Sequence, residues 1–350
     1  MSHAVWLNAA KSVAQPHDKG VCMRHNATFV GVGLALLCSV AVFAQGAANQ
    51  PYVAPAFDTY TPNIPGVVTG GTRVELITDQ LNGTEGPVAL PDGTLVFTEG
   101  GARRLTRIDK DGKLSTFLDN IQSGGLGFDQ KGRMIANDNT QGKQGIYIVH
   151  PRGAETTLVD RKTQGFMGAN DLVVDKKGGV YFTQPEQANV GYILPDRKGM
   201  KIVAENVTRP NGITLSPDEK ILYVNDSRGE HLLAYDVQAD GSVTNRRNFA
   251  KYDQINTSSA GGDVGPGLRY RVTSCADGLA VDKEGRVYNA GCNGIQVYSP
   301  QGRHLGTIPT ARVVQNLAFA GQDKKTLYLV GRSAAWKIQM LSEGFKGRAK

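Results

Sequence analysis

The chain has 350 residues, 43 of them glycine, with 40% hydrophobic and 7% aromatic residues and a formal charge of +7. Lys11, Lys19 and Arg24 less Asp18 account for +2 of that charge before residue 45, and no run of lysine and arginine interleaves with aromatics, which argues against a nucleic-acid partner. Abundant glycine and a moderate apolar content suit many short strands joined by tight turns, in one large β domain or two ordinary ones.

Arg24 and His25 precede an apolar run from Ala27 to Phe43, and Val42-Phe43-Ala44 offers a small-residue cleavage site before Gln45. Residues 1–44 therefore read as a secretory signal, with Met23 a second candidate start. An uncleaved membrane anchor is the alternative. Residues 45–71, rich in Pro, Ala, Gly and Thr, read as a linker. The expectation is an exported protein, periplasmic or secreted, with no membrane attachment after cleavage.

Val74 to Ile77 is the first strand of the body, and a repeat begins after it. Asn211-Gly-Ile-Thr-Leu-Ser-Pro-Asp-Glu-Lys-Ile-Leu-Tyr-Val-Asn-Asp is a hairpin of two apolar strands around a polar turn. Five other segments share its template, ending on Leu-Val-Phe-Thr98, Met-Ile-Ala-Asn137, Val-Tyr-Phe-Thr183, Val-Tyr-Asn-Ala290 and Leu-Tyr-Leu-Val330. The turns align at Gly93, Gly132, Gly178, Glu219, Gly285 and Lys324, mostly about one four-stranded propeller blade apart. Further strand-sized runs follow: Leu105 to Ile108, Leu114 to Phe117, Ile146 to Val149, Tyr192 to Leu194, Leu232 to Tyr235, Ile295 to Tyr298 and Trp336 to Met340. The pattern predicts an all-β, six-bladed propeller over residues 72–340, its last blade closed by the N-terminal strand, and a basic tail over 341–350. A β-sandwich also uses regularly spaced short strands, but it gives no reason for six near-identical hairpins.

The first strand of each blade lines the channel, so residues just before these strands gather at one mouth. Eight positions before the aligned turns stand Glu85, Gly124, Asn170, Asn211, Asp277 and Asn316. Asn and Asp also favour turns for local reasons, yet five oxygen-bearing side chains at matched positions make a ring. Two carboxylates and several amide oxygens suit a hard divalent cation: calcium accepts six to eight oxygen ligands. Zinc prefers His and Cys, and His150, His231 and His304 all lie away from the ring positions. Calcium is the expected ion, with zinc, magnesium and manganese as alternatives. Its role is catalytic, polarising a carbonyl and acidifying water, or that of an axial structural staple. No Gly-x-Ser-x-Gly elbow, Walker A loop or His-Glu-x-x-His helix competes with this reading.

Glu85-Gly-Pro, Asn170-Asp-Leu-Val-Val-Asp, Arg209-Pro-Asn-Gly-Ile-Thr-Leu-Ser-Pro-Asp and Asp277-Gly-Leu-Ala-Val-Asp resemble the gluconolactonase family that includes regucalcin, from about Arg73 to Met340. The resemblance implies a six-bladed propeller and a metal-dependent hydrolase opening a small lactone. It implies Glu85, Asn170, Asn211 and Asp277 as metal ligands, with Asn170 also a substrate contact, and Asp277 or Asp171 as the carboxylate that activates water. Asn316 and Gln184 are read as substrate contacts. The chain departs from the family at Gly168, where sugar-lactone members often carry Arg, and at Phe182-Thr183-Gln184, where bacterial members commonly read Phe-Thr-Asp. Hydrolysis of phosphotriesters or aryl esters at the same metal, and a non-catalytic binding propeller with a structural calcium, are the alternatives.

The loops after the second strands return to the same mouth and carry Glu99, Arg103, Asp138, Asn139, Gln184, Asp226, Arg228, Asn293 and Arg332. Extra chain at Tyr252 to Ser274 reads as a partial lid. Cys275 and Cys292 fall opposite each other across the fifth hairpin, which in an exported protein predicts a disulfide bracing the loop that carries Asp277. A monomer or small homo-oligomer is expected.

Overall fold

The hairpin that recurs in the sequence folds six times, and its turn position is left-handed in every copy: φ is +83° at Gly93, +70° at Gly132, +89° at Gly178, +80° at Gly285, +60° at Glu219 and +55° at Lys324. Glycine takes this conformation without crowding a Cβ, which is why four copies carry it. The computed structural model describes residues 55–255 and 273–348. The secretory signal, the first part of the linker and most of the expected lid lie outside the described residues.

Blade one contains β3 (Thr84–Ala89), β4 (Leu95–Glu99), β5 (Arg104–Ile108) and β6 (Leu114–Asp119), and blade two β7 (Leu126–Phe128), β8 (Met134–Asp138), β9 (Gly145–His150) and β10 (Thr156–Asp160). Blade three contains β11 (Leu172–Val174), β12 (Val180–Gln184), β13 (Asn189–Ile193) and β14 (Met200–Ala204), and blade four β15 (Pro210–Leu215), β16 (Ile221–Asp226), β17 (His231–Val237) and β18 (Val243–Lys251). Blade five contains β19 (Leu279–Val281), β20 (Val287–Gly291), β21 (Gly294–Tyr298) and β22 (His304–Ile308), and blade six β23 (Asn316–Ala320), β24 (Thr326–Gly331) and β25 (Ala334–Gln339). All pairs within a blade are antiparallel, and the innermost strands β3, β7, β11, β15, β19 and β23 pack side by side around the axis. The architecture is the six-bladed β-propeller that the repeat predicts.

The ring closes as expected. The strand β2 (Arg73–Thr78) pairs antiparallel with β25 and becomes the fourth strand of blade six, so neither chain end leaves a bare inner edge. A short β1 (Thr59–Tyr60) adds outside β2 and makes this sheet five-stranded. Here the linker reading is corrected for residues 55–71: Ile64, Val67 and Val68 are fully buried in a core shared with Tyr288, Phe319 and Trp336. The Trp336 indole donates to the Phe57 carbonyl at 3.2 Å, which ties the segment down. Polar-looking composition concealed three apolar residues spaced to seal the seam between blades five and six.

The basic tail is corrected too. Leu341 N donates to Val67 O at 2.9 Å, Gly344 bridges to Asp282, and Lys283 pairs with Glu343 at 2.9 Å. The chain then crosses the channel mouth opposite the ring. Arg348 is 8% exposed; it pairs with Glu219 at 3.3 Å and donates to the carbonyls of Leu215 and Ser216, while Lys324 Nζ donates to Arg348 O at 3.0 Å. Glu219 and Lys324 are the two turn positions that are not glycine, so the exceptions to the repeat are the groups that hold the tail. A cavity of about 460 Å³ at this mouth is lined by Phe128, Val174, Glu219, Lys324, Lys346 and Arg348, and by no residue of the ring.

Burial, reinforced by the Arg348 charge, pushes the Lys324 ammonium down to about 8. Below that pH the lysine is charged in both folded and unfolded chains, and the cost of holding it here is fully present. As pH rises from about 8 towards the ordinary lysine value of 10.5, the folded chain releases its proton first, so this group's contribution grows more favourable. Thermal melts across that window should show Lys324→Met lacking a rise in stability that the parent protein has; identical pH slopes would contradict the burial of this charge.

Candidate active site

The six ring positions stand at the starts of the innermost strands and touch in sequence. The Gly124 carbonyl lies against Gly86, and the Asn170 carbonyl against Gly124. Thr183 Oγ1 donates to Asn211 O at 2.7 Å. A Cβ on Gly212 would stand 1.9 Å from the Asp277 carbonyl oxygen, and one on Gly278 would stand 2.0 Å from Asn316 Oδ1, so glycine is required where each blade presses on the next. Asn316 Nδ2 donates to Glu85 Oε2 at 3.2 Å, which completes the circuit.

Exposure sorts the candidates. Glu85, Asn170, Asn211 and Asp277, the four residues read as metal ligands, are all half-buried, whereas Asn316, Asp171 and Gln184 are no more than 2% exposed. The backbone explains the division. In blades one and four the ladder slips between Glu85 and Val88 and between Pro210 and Ile213, and such bulges re-aim side chains. In blades three and five the ladder begins two residues after Asn170 and Asp277. In blade six it runs regularly through Asn316, paired with Val330, and keeps that side chain in the wall.

Two substrate readings are therefore corrected. Asn316 accepts Leu317 N at 2.9 Å and donates to Glu85, so it holds the carboxylate. Gln184 accepts Met167 N at 2.7 Å and donates to Gly165 O at 3.0 Å and Asn189 Oδ1 at 2.9 Å; its amide is spent on the loop before Asn170. Asp171 sits in the wall with Oδ1 accepting Leu172 N at 2.8 Å, beside Gly125 of blade two. Gln315, passed over in the sequence, donates to Glu85 Oε1 at 3.0 Å and accepts Arg332 N at 3.0 Å. Its adjacency to a ring position was the available signal.

Similar support lies under the other ring positions. Glu99 accepts Asn82 N at 3.1 Å, Asp138 accepts Gln122 N at 3.3 Å, and Asp226 accepts Thr208 N at 3.0 Å and Arg209 N at 2.9 Å. The Arg104 guanidinium and the Thr106 hydroxyl offset the burial of the Glu99 carboxyl and hold it below the usual carboxylate range. Each acid closes the strand after a ring position and grips the loop leading into it. Blade five has Gly291 at this place. There the expected disulfide is formed: Cys275, two residues before Asp277, is bonded to Cys292 with Cα atoms 4.8 Å apart. A covalent link takes the place of the acid.

The donors at these four half-buried ring positions are all oxygen: two carboxylates and two carboxamides. Asn211 Oδ1 is buried and has no hydrogen-bond partner, whereas buried amide oxygens ordinarily have one. Leaving such an atom unmatched costs about 1–3 kcal/mol. A hard divalent cation would satisfy it, and the donor set fits such an ion.

Residues 83–332 match the family model of the SMP-30/Gluconolactonase/LRE-like region. The gluconolactonase of Zymomonas mobilis is 26% identical over 308 residues, covering 77% of this chain and 82% of that protein. The solved gluconolactonase of Xanthomonas campestris is 26% identical with a TM-score of 0.64, covering 82% of this chain and 99% of the other. The regucalcin of Agrobacterium tumefaciens, solved as a calcium-binding protein, shares the fold at a TM-score of 0.62 and 16% identity, over 78% and 95% of the two chains.

Proposed function

Since this chain belongs to the SMP-30/gluconolactonase/LRE-like family, we propose that it opens a small lactone by attack of water at the ring, with a divalent cation bound there. At the coarser level it is an enzyme, a carboxylic-ester hydrolase of the lactonase kind. The gluconolactonases of Zymomonas mobilis and Xanthomonas campestris support an aldonolactone as the substrate class. The observation that carries the metal is the unmatched Asn211 Oδ1 among half-buried Glu85, Asn170 and Asp277.

Those four residues would hold the ion, calcium by preference because every donor is oxygen. When bound, it would supply Lewis-acid stabilisation of charge developing on the lactone carbonyl oxygen. The chain's own residues do the rest. Gln315 and Asn316 fix both oxygens of Glu85 and keep the wall of the ring in place. Asn170 offers an amide to the substrate's hydroxyls. Asp277 takes a proton from the attacking water and returns it to the ring oxygen as the carbon–oxygen bond breaks, so the carboxylate is regenerated. Asp277 is favoured over Asp171 because it is half-buried at the mouth, whereas Asp171 is in the wall.

Export to an oxidising compartment is part of the same proposal, supported by the apolar run 27–43 and by the Cys275–Cys292 bond.

Chelation tests the reading. Treatment with EDTA should abolish hydrolysis of a panel of aldonolactones, and added calcium should restore it. Loss of thermal stability with turnover unchanged would instead make the ion a staple. Turnover of aryl esters or phosphotriesters but no lactone would move the substrate class to the alternative.

A further inference from the structure

Four of the six repeated hairpins end on a polar residue that the proposed chemistry does not use. Thr98, Asn137, Thr183 and Asn225 stand at this place in blades one to four, and all four are 0% exposed. Each reaches across the seam to the next blade's ring position or the residue before it. Thr98 Oγ1 donates to Ser123 O at 2.8 Å, Asn137 Nδ2 to Ala169 O at 2.7 Å, Thr183 Oγ1 to Asn211 O at 2.7 Å and Asn225 Nδ2 to Asp277 O at 2.5 Å. In blade six the place is taken by Val330, and Gln315 and Asn316 make the crossing to Glu85 instead. Seen from above, a concealed ring of donors lies behind the ring that faces the axis.

We propose that Asn225 is a positioning residue for Asp277. The bond lands on the backbone of Asp277 itself, in a blade with Gly291 where blades one, two and four carry the acid that grips the loop before the ring position. Asn225 is in turn fixed from both ends. Its Nδ2 also donates to Asn289 Oδ1 at 2.7 Å, and its Oδ1 accepts the Tyr252 hydroxyl at 3.0 Å. Tyr252 accepts Asp226 N at 3.1 Å, so the network is anchored to blade four. The disulfide fixes the loop two residues upstream of Asp277, and Asn225 fixes Asp277 laterally. Together they leave its carboxylate little freedom to drift, and a displacement of about 1 Å in a reacting group can cost about 10²-fold in rate.

The molecule supplies its own controls, since threonine does this work in blades one and three and valine holds the place in blade six. Asn225→Thr keeps a donor there; Asn225→Val has nearly the same shape without one. The inference rests on the lactonase reading for its rate effect, so two measurements are paired. With a lactone substrate at saturating calcium, kcat of N225V should fall about 10²-fold with KM within about twofold, and N225T should recover most of the loss. In the metal-free proteins, the Asp277 amide, bonded to Ala290 O at 3.0 Å, should exchange roughly tenfold faster in N225V than in N225T, with blade two unchanged. If the parent protein opens no lactone, the functional reading fails and the exchange series still decides this one. Equal exchange in the parent and both variants would overturn the proposal, and so would equal impairment of N225T and N225V.

Discussion

Asp277→Asn is expected to lower kcat for lactone hydrolysis by about 10²- to 10⁴-fold, the usual contribution of a positioned general base, while melting close to the parent. The substitution keeps the volume and one amide-type oxygen at the ring but removes the capacity to accept a proton. The measurement is steady-state kinetics at an ion concentration that saturates the variant, so that weakened ion binding does not pass for lost chemistry. Parental kcat under those conditions would remove Asp277 from the role of base and turn attention to Asp171, the alternative carboxylate for that role. The same assay on Asp171→Asn separates the two: its place in the wall, bonded to Leu172 N, predicts a stability defect larger than its kinetic one.

Glu85→Gln should do something different. Glu85 provides one of the two carboxylates at the four half-buried ring positions, and both its oxygens accept side-chain amides, from Gln315 and Asn316. Glutamine halves the compensating charge and turns an amide donor towards one of those donors. Calcium affinity, read by calorimetry, should fall on the order of 10²-fold, since affinity at oxygen sites follows the number of charged ligands. Much of the turnover should return at high calcium, because the proton acceptor is intact. An unchanged calcium affinity would exclude Glu85 as a ligand. A defect in affinity for one substitution and in rate for the other would assign holding and reacting to different residues.

Much of this was legible in the sequence because a propeller repeats its grammar. Counting back from the turns put Glu85, Asn170, Asn211 and Asp277 at the starts of inner strands, where they are half-buried, and the closing strand at Val74 followed from a last blade one strand short. Asn316 was misjudged because position in the repeat does not decide which way a side chain faces. The ladder slips at Glu85 and Asn211 and begins two residues after Asn170 and Asp277, and all four are half-buried, whereas it runs regularly through Asn316, which is buried in the wall. A faint signal was present: Asn316 is followed by leucine, whereas Glu85, Asn211 and Asp277 are followed by glycine. Gln184 was misjudged for a related reason, since a polar residue at a mouth serves the loop or the ligand depending on contacts that spacing does not reveal. The segment 55–71 and the tail were misread from composition, which averages over the few apolar or charged residues that anchor them.

The tail over the far mouth has a kinetic consequence. Arg348 reaches from blade six to blade four across the axis, so among the described residues the tail crosses the channel at the end opposite the ring and leaves the ring's own mouth as the way in. A lactone must enter, and its hydroxy-acid product leave, through the same opening and over the same oxygens. The product carries a new carboxylate that the cation would attract, so it should linger and exclude the next substrate. Competitive product inhibition, strengthening as the reaction proceeds, is the expected result.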